Sequence, residues 1–91
     1  MQSDNILLSV VVPMFNEEPT IGNVLSRLKA VLLKTGLKHE IIVIDDCSKD
    51  NSLSAAQKSY VRLYALKQNM GKGYALRVGF AQAKGTIIAT I

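Results

Sequence analysis

Two apolar runs decide the fold of this 91-residue chain: Leu7-Leu8-Ser9-Val10-Val11-Val12 and Ile41-Ile42-Val43-Ile44. Both are rich in β-branched residues and almost free of polar ones, which is typical of strands buried on both faces of a parallel sheet. Pro13 predicts the end of the first strand, and the polar segment 45–52 predicts the end of the second. The chain therefore contains two strands of central-sheet character.

The segment between these strands has helical character. Apolar residues recur at helical spacing over residues 21–32, which predicts an amphipathic helix from near Pro19 to a stop at Gly36. The polar segment 45–52 predicts a turn that leads into a short helix ending at about Ser59. A strand and a helix thus follow each other twice in this part of the chain.

The same alternation continues to the last residue. Residues 60–66 predict a third strand, and the glycine-containing segment 69–73 opens a third helix that is expected to stop at Gly85. Residues 86–91 predict a fourth, buried strand. Leu76, Phe80 and Ala83 are expected to share one face of the third helix.

The order β-α-β-α-β-α-β with short connections predicts an α/β fold. We expect a Rossmann-like parallel sheet with right-handed crossovers and helices on both faces, truncated after the fourth strand. A chain of this size has no room for a second core, so residues 1–91 are interpreted as part of one domain.

Composition excludes several protein classes. An apolar content of 48% and a charged content of 20% are globular values and not those of a disordered chain. The longest apolar runs are far shorter than the roughly 18–20 residues of a membrane span. Residues 1–5 lack the pattern of a secretory signal, and the single cysteine, Cys47, allows no internal disulfide and fits a reducing compartment.

The charges are unevenly distributed along the sequence. All seven acidic residues lie in residues 1–50, where five Lys or Arg leave a net charge of −2, whereas residues 51–91 hold six basic residues and no acid. One interpretation is that the basic half faces an anionic ligand or nucleic acid. The other is that its basic side chains simply solvate the surface, and the low aromatic content of 5% argues against nucleic-acid binding.

Polar residues follow each of the first three strands. Phe15 and Glu17 follow the first strand, Asp46 follows the second, and residues 69–73 with Lys72 follow the third. In open parallel sheets, ligands bind beyond the carboxyl ends of the strands. A nucleotide suits this set, because carboxylates accept hydrogen bonds from base N–H groups or ribose hydroxyls, and backbone amides and lysine oppose phosphate charge.

Each motif is weak on its own. Adjacent acids such as Asp45-Asp46 are more often a turn or capping device than a ligand site. The pair Gly71-x-Gly73 lacks the third glycine of a dinucleotide fingerprint, and it is not a Walker A loop because glycine follows Lys72. Four further residues are interpreted as structural: His39 at the surface, Cys47 packed in a turn, and Tyr60 and Tyr64 in sheet packing.

A different function class also fits an acidic pocket at a sheet edge. Asp45 and Asp46 are compatible with a non-catalytic, receiver-like or flavodoxin-like signalling module. That class requires a phosphorylatable aspartate after the third strand, where this chain has Lys67-Gln68-Asn69.

Four segments together resemble a known family. Residues 8–18 (LSVVVPMFNEE), 41–50 (IIVIDDCSKD), 69–80 (NMGKGYALRVGF) and 83–91 (AKGTIIATI) are similar, in order and spacing, to the N-terminal half of inverting family 2 glycosyltransferases with the GT-A fold. Within that family, the sequences of these segments are most similar to those of the dolichol- or polyprenol-phosphate sugar transferases.

The resemblance implies roles for individual residues. Pro13, Phe15 and Glu17 are expected to contact the nucleotide sugar, with Ile44 and Asp46 around the base and ribose. It places Asp45 in stabilising the turn, while Lys72 lies either near the diphosphate or in a capping position.

The resemblance also implies a reaction for the intact protein: inverting transfer of a hexose from a UDP- or GDP-sugar to an acceptor, with polyprenyl or dolichyl phosphate as the expected acceptor and a glycan as another. A divalent ion, Mg²⁺ or Mn²⁺, would be held by an Asp-x-Asp pair that lies beyond Ile91. Residues 1–91 would then be the nucleotide-binding part, without the C-terminal acceptor half, catalytic residues or metal ligands, and inactive alone.

Location and partners follow from the same resemblance. We expect a cytoplasmic protein at the cytoplasmic face of a membrane, no nucleic-acid partner, and self-association through the incomplete sheet.

Two residues depart from the family pattern. Phe15 replaces the usual tyrosine and loses its hydroxyl, and Cys47 replaces the usual glycine, which puts a positive φ in that turn in question.

Overall fold

The computed structural model describes residues 5–91 as four parallel strands and three helices; residues 1–4, on which part of the prediction about a signal sequence rests, lie outside the described residues. The elements are β1 (Leu8–Met14), α1 (Ile21–Thr35), β2 (His39–Asp45), α2 (Ser52–Gln57), β3 (Arg62–Ala65), α3 (Lys72–Gln82) and β4 (Ile87–Thr90). Within residues 5–91, no helix is both long enough and apolar enough to span a bilayer.

The strand order distinguishes between the two predicted architectures. The order is β3-β2-β1-β4, and every pair of neighbours is parallel. This is the order of the first strands in a Rossmann sheet, whereas flavodoxin-like and receiver-like sheets place β3 on the other side of β1. The topology confirms the α/β, Rossmann-like prediction and disagrees with the signalling-module alternative.

Helices cover both faces of the sheet, because alternate residues of each strand point to opposite faces. Val10, Val12 and Met14 pack with α1 and α2 in one core cluster. Val11 packs on the other face against α3, in a second cluster that includes Ile42, Ile44 and Ala75. The prediction of helices on both faces is confirmed.

The first strand is longer than predicted, since β1 continues through Pro13 to Met14. Leu7, just before β1, accepts a hydrogen bond from the Ile87 N–H, and Val11 accepts one from the N–H of Ile91, just after β4. Odd-numbered residues of β1 therefore direct their backbone groups toward β4. The paired part of β4 reaches no further along β1 than Val11, and Pro13 therefore removes no ladder hydrogen bond. Proline can stand in this strand without breaking it.

Two of the predicted strand assignments are corrected at the sheet edges. β3 covers only Arg62–Ala65, and Tyr60 lies before it with a φ of 55° and 91% exposure, so the prediction that Tyr60 packs in the sheet was wrong. Tyr64 does pack against the core on the α3 side, as predicted. The fourth strand is exposed instead of buried, because β4 is an edge strand with no neighbour on its outer side within residues 5–91.

The third helix packs through its small residues. Ala75 and Gly79 are its buried residues, whereas Phe80 is 42% exposed. A Cβ atom built on Gly79 would lie 2.2 Å from Val11 Cγ1, so only glycine permits this approach of α3 to β1. α3 ends at Gln82, before the predicted stop at Gly85, where a Cβ atom would lie 2.8 Å from the backbone nitrogen of Ser9.

A buried carboxylate joins four segments at the amino-terminal end of the sheet. Glu40 accepts hydrogen bonds from Ser9 Oγ at 2.6 Å and from the Lys84 N–H at 2.7 Å, and it forms an ion pair of 2.5 Å with Arg62. Burial raises the pKa of Glu40, but the hydrogen bonds from Ser9, Lys84 and Arg62 outweigh it and hold the pKa below its ordinary value of 4.5. His39, the first residue of β2, is partly exposed and lies at this end of the sheet, away from the polar loops.

Glu40→Gln is expected to reduce stability more at neutral pH than in acid. Because the Glu40 pKa is lower in the folded chain, its contribution is complete above about pH 4.5 and is lost as the pH falls through the folded value. Urea denaturation at neutral pH and at about pH 3 measures this difference. An equal loss of unfolding free energy at both pH values would contradict it.

Candidate functional site

The loops after β1 and β2 and the segment that opens α3 line one open cleft of about 450 Å³, a volume in the usual range for small-molecule sites. Its apolar walls include Phe15, Ile21, Val24 and Ile91. Its polar lining consists of Glu17, Asp46, Asn69 and Lys72. The three loops therefore converge at the carboxyl edge of the sheet, as predicted.

The loops after β1 and β2 hold each other in place. The Asn16 N–H donates to Ser48 Oγ at 2.9 Å, and the Lys49 N–H donates to Asn16 Oδ1 at 2.8 Å. The Glu17 N–H donates to Ser52 Oγ at 2.6 Å. These bonds hold the segment that carries Phe15 and Glu17 against the β2 loop and the start of α2.

Asp50 and Glu18 add a reciprocal pair of contacts. The Glu18 N–H donates to Asp50 Oδ2, and the Asn51 N–H donates to Glu18 Oε1, both at 3.1 Å. Asp50 also accepts from the hydroxyl and the N–H of Ser52. The hydroxyl of Ser52 is the main cause that lowers the pKa of Asp50, so this carboxylate remains charged in its loop-holding role.

Asp46 connects the β2 loop to the start of α3. Its Oδ1 accepts from the Met70 N–H at 2.7 Å, and its Oδ2 accepts from the Gly71 N–H at 2.9 Å and from Asn69 Nδ2 at 3.1 Å. The residue is only 4% exposed. A carboxylate has about four accepting positions, so three are already occupied and about one is left for a ligand in the cleft.

Asp45 stabilises the turn that follows β2. Its Oδ1 accepts from Ser48 Oγ at 2.5 Å and from the Ser48 N–H at 3.3 Å. Cys47, between them, is half-buried and has a φ of 61°. The turn therefore has a positive φ at Cys47, the position where the family resemblance implies glycine.

Cys47→Gly is expected to stabilise the protein by about 1 kcal/mol, because a non-glycine residue in the left-handed region is strained. Gly36→Ala is the matched control, because Gly36 has a φ of 71° and a Cβ atom built there has no heavy atom within 4 Å. Alanine at this position should lower the free energy of unfolding by a similar amount. Urea denaturation of both variants measures the changes. Unchanged stability in Cys47→Gly would contradict the assignment of strain.

Four of the five predicted binding residues meet at the cleft. Pro13, Phe15, Glu17 and Asp46 line it, and Phe15 is 40% exposed, so one part of its ring remains accessible. Ile44 does not line the cleft: it is fully buried in the core beneath α3. Lys72, for which two roles were left open, is exposed and lines the cleft as the first residue of α3.

The described residues do not fit a divalent metal ion. Within residues 5–91, no three His, Cys, Asp or Glu side chains come together as a metal site. Asp46, which lines the cleft, and its neighbour Asp45 are both engaged by hydroxyl or amide donors. No chemical step through a metal is derived from these residues.

Sequence reasoning missed the residues that hold the loops together: Asn16, Ser48, Ser52 and Asn69. A usable signal was present, because Asn and Ser in polar turn clusters commonly bond nearby backbone groups. The long-range partners of these side chains were not visible in the sequence.

The sequence of this chain was compared with family profiles and with the sequences of known proteins. The profile of the family described as glycosyl transferase family 2 matches residues 9–91. The undecaprenyl-phosphate 4-deoxy-4-formamido-L-arabinose transferase of Pseudomonas aeruginosa is 36% identical over 93% of this chain. The dodecaprenyl-phosphate galacturonate synthase of Rhizobium johnstonii is 37% identical over 92% of it. The chain spans 27% of the length of each of these curated relatives.

Solved structures of related proteins also match this chain in fold. Glucosyl-3-phosphoglycerate synthase from Mycobacterium tuberculosis, in complex with Mn²⁺, UDP and phosphoglyceric acid, has a TM-score of 0.80 and 32% identity, over 94% of this chain and 32% of its own. TarS residues 1–349 from S. aureus has a TM-score of 0.77 and 28% identity, over 94% and 27%. The predicted relationship is confirmed, and the chain belongs to glycosyl transferase family 2.

Proposed function

We propose that the cleft binds the nucleoside diphosphate end of a UDP- or GDP-sugar, and that this chain is the N-terminal nucleotide-binding part of a longer, inverting glycosyltransferase. The convergence of Glu17, Asp46 and Lys72, from three separate loops, on one cleft carries the proposal. The two carboxylates are hydrogen-bond acceptors for a base and a ribose, and the lysine is a cation for phosphate.

The lining suggests how the nucleoside would lie. The accessible part of the Phe15 ring offers an apolar surface to the base, next to the aliphatic wall of Ile21 and Val24. Glu17 contributes its backbone N–H to the loop contacts, so its carboxylate is available for ribose hydroxyls or base N–H groups. Asp46 acts mainly by holding the turn at residues 69–71, with about one accepting position left.

The diphosphate would lie at the start of α3. Lys72 is the first residue of that helix, and the positive end of a helix dipole favours anionic groups. The Asp46 carboxylate already accepts hydrogen bonds from the N–H groups of Met70 and Gly71, so the exposed Lys72 side chain is the cationic group of the cleft lining that can reach a phosphate. We therefore assign Lys72 to the diphosphate in preference to loop capping.

For the intact protein, we propose hexose transfer to a polyprenyl or dolichyl phosphate at the cytoplasmic face of a membrane, with Mg²⁺ or Mn²⁺ bound by residues outside 1–91. The acceptor is supported by the two relatives, whose names specify undecaprenyl and dodecaprenyl phosphates. The metal is supported by the Mn²⁺ and UDP in the related solved structure. Residues 1–91 alone are expected to bind nucleotide without catalysing transfer.

Calorimetry with UDP and GDP tests the binding proposal. We expect one of the two nucleotides to bind the 91-residue chain at up to millimolar concentration, and Lys72→Ala to weaken binding roughly tenfold at low salt through the loss of phosphate contact. Lys58→Ala is the control, since Lys58 is an exposed cation at the end of α2 and does not line the cleft.

Two outcomes would reject the proposal. One is the absence of binding by both nucleotides at millimolar concentration, with the folded state verified by circular dichroism. The other is equal weakening by Lys72→Ala and Lys58→Ala, which would indicate non-specific attraction to the basic half of the chain.

A further inference from the structure

Left-handed backbone conformations occur in two of the loops at the cleft. Within residues 5–91, three residues other than glycine have a positive φ: Asn16 at 52°, Cys47 at 61° and Tyr60 at 55°. Asn16 and Cys47 lie in the loops that follow β1 and β2, whereas Tyr60 lies between α2 and β3 and does not line the cleft. Such conformations cost free energy and collect at binding sites, so the conformation of Asn16 points to a functional role.

Asn16 lies between two fixed points of the chain. Met14 is the last residue of β1, and the C=O of Glu17 accepts two backbone hydrogen bonds at the start of α1, at 2.9 and 3.0 Å. Only residues 15 and 16 connect these points. The direction in which the chain leaves β1, and with it the placement of Phe15 and Glu17, therefore depends on the dihedral angles of Asn16.

Two hydrogen bonds hold Asn16 in its conformation. Its N–H donates to Ser48 Oγ at 2.9 Å, and its Oδ1 accepts from the Lys49 N–H at 2.8 Å. Ser48 Oγ in turn donates to Asp45 Oδ1, and the next residue, Asp46, lines the cleft. Asn16 therefore fixes the loop after β1 relative to the turn that carries Asp46.

Asparagine is suited to both of these tasks. It enters the left-handed region more readily than most residues other than glycine, and its side-chain oxygen is the acceptor for the Lys49 N–H. Glycine at this position would permit the backbone conformation but would lose the acceptor. Alanine would lose the acceptor and would also strain the backbone.

We propose that Asn16 is a positioning residue for the nucleotide, because it sets Phe15 and Glu17 relative to Asp46 for contact with the nucleoside end. Asn16 does not line the cleft, so it acts through its two neighbours in the chain. The inference rests on the proposed function, which supplies the nucleotide. It separates the nucleoside end of the site, which depends on Asn16, from the phosphate end at Lys72.

NMR titration of the 91-residue chain with UDP and GDP tests the role of Asn16. We expect Asn16→Ala to raise the dissociation constant of the bound nucleotide roughly tenfold and Asn16→Gly roughly threefold. Asn16→Asp keeps an acceptor and tolerates the left-handed region, so it should stay within about twofold of the wild type. The comparison with aspartate is made at about 0.5 M salt, where its added charge is screened.

Salt dependence distinguishes positioning from a loss of charge. Asn16→Ala removes no charge and should weaken binding by the same factor at low and at high salt, whereas the effect of Lys72→Ala should shrink as salt rises. Tyr60→Gly is the matched control, because it relaxes a left-handed residue that is 91% exposed and outside the cleft. It should leave the dissociation constant unchanged, and circular dichroism checks that every variant folds.

The outcomes separate this inference from the proposed function. If the wild-type chain bound neither nucleotide, both would be rejected. If the wild type bound and a folded Asn16→Ala variant bound equally well, only the positioning role would be rejected. The same conclusion would follow if Asn16→Asp weakened binding as much as Asn16→Ala, or if Tyr60→Gly did so.

Discussion

Asp46→Ala is expected to lower the free energy of unfolding by about 2–3 kcal/mol and to abolish nucleotide binding, since hydrogen bonds to a charged group are worth more than neutral ones. The substitution leaves the N–H groups of Met70 and Gly71 and the Asn69 amide without their acceptor. The turn that carries Lys72 into the cleft would then lose its attachment to β2. Urea denaturation and calorimetry with UDP or GDP measure the two effects.

Glu17→Ala is the matched control for this prediction. Glu17 lines the same cleft, but it holds the loop through its backbone N–H, which alanine keeps. We expect weaker nucleotide binding with a stability change within about 0.5 kcal/mol. The distinction between a loop-holding and a ligand-facing carboxylate would be wrong in either of two cases. One is an unchanged free energy of unfolding in Asp46→Ala, and the other is an equal loss of unfolding free energy in Glu17→Ala.

Gly79→Ala is expected to destabilise the protein by about 3 kcal/mol, at the upper end of the cost of overpacking a core. A Cβ atom on Gly79 would lie 2.2 Å from Val11 Cγ1 and 3.2 Å from Val11 Cβ, and Val11 is fully buried. Rotation of the Val11 side chain does not relieve a contact to its Cβ atom, so α3 must move away from β1. Thermal or urea denaturation measures the loss.

Gly73→Ala is the control on the same helix, because a Cβ atom there has no heavy atom within 4 Å. Alanine at this position should be neutral or stabilising by up to about 1 kcal/mol. The double variant Gly79→Ala with Val11→Ala should lose less than the sum of the two single variants, because the second substitution removes the atoms that clash. Additive losses would show that the contact is not the cause.

Local patterns in the sequence predicted the order of the elements well. The β-branched runs of β1 and β2, the apolar spacing of α1 and the stop at Gly36, observed with a φ of 71°, are all formed as expected. These features depend on neighbours a few residues apart, so periodicity and turn chemistry are sufficient to detect them. The predictions failed mainly at the edges, where β3 is short and β4 is exposed.

The candidate site was predicted in outline but not in its contacts. Residue types and strand ends indicated that Phe15, Glu17, Asp46 and Lys72 would meet at one edge, and all four line the cleft. Ile44 was assigned there from the family resemblance and is instead buried in the core. The face of the sheet toward which a strand residue points depends on packing partners that the sequence does not name.

The sequence by itself determined the alternation of strands and helices and the loops that carry polar residues, because these properties are local. Only the tertiary structure decided that Asp46 is bound to the start of α3, that Gly79 lies against Val11, and that β4 is the outer strand next to β1 in the sheet formed by residues 5–91. Each of these depends on atoms that are distant in the chain and adjacent in space. Tertiary packing therefore determines which hydrogen bonds form, which atoms come into close contact and which strand lies at the edge. Composition and the spacing of apolar residues do not.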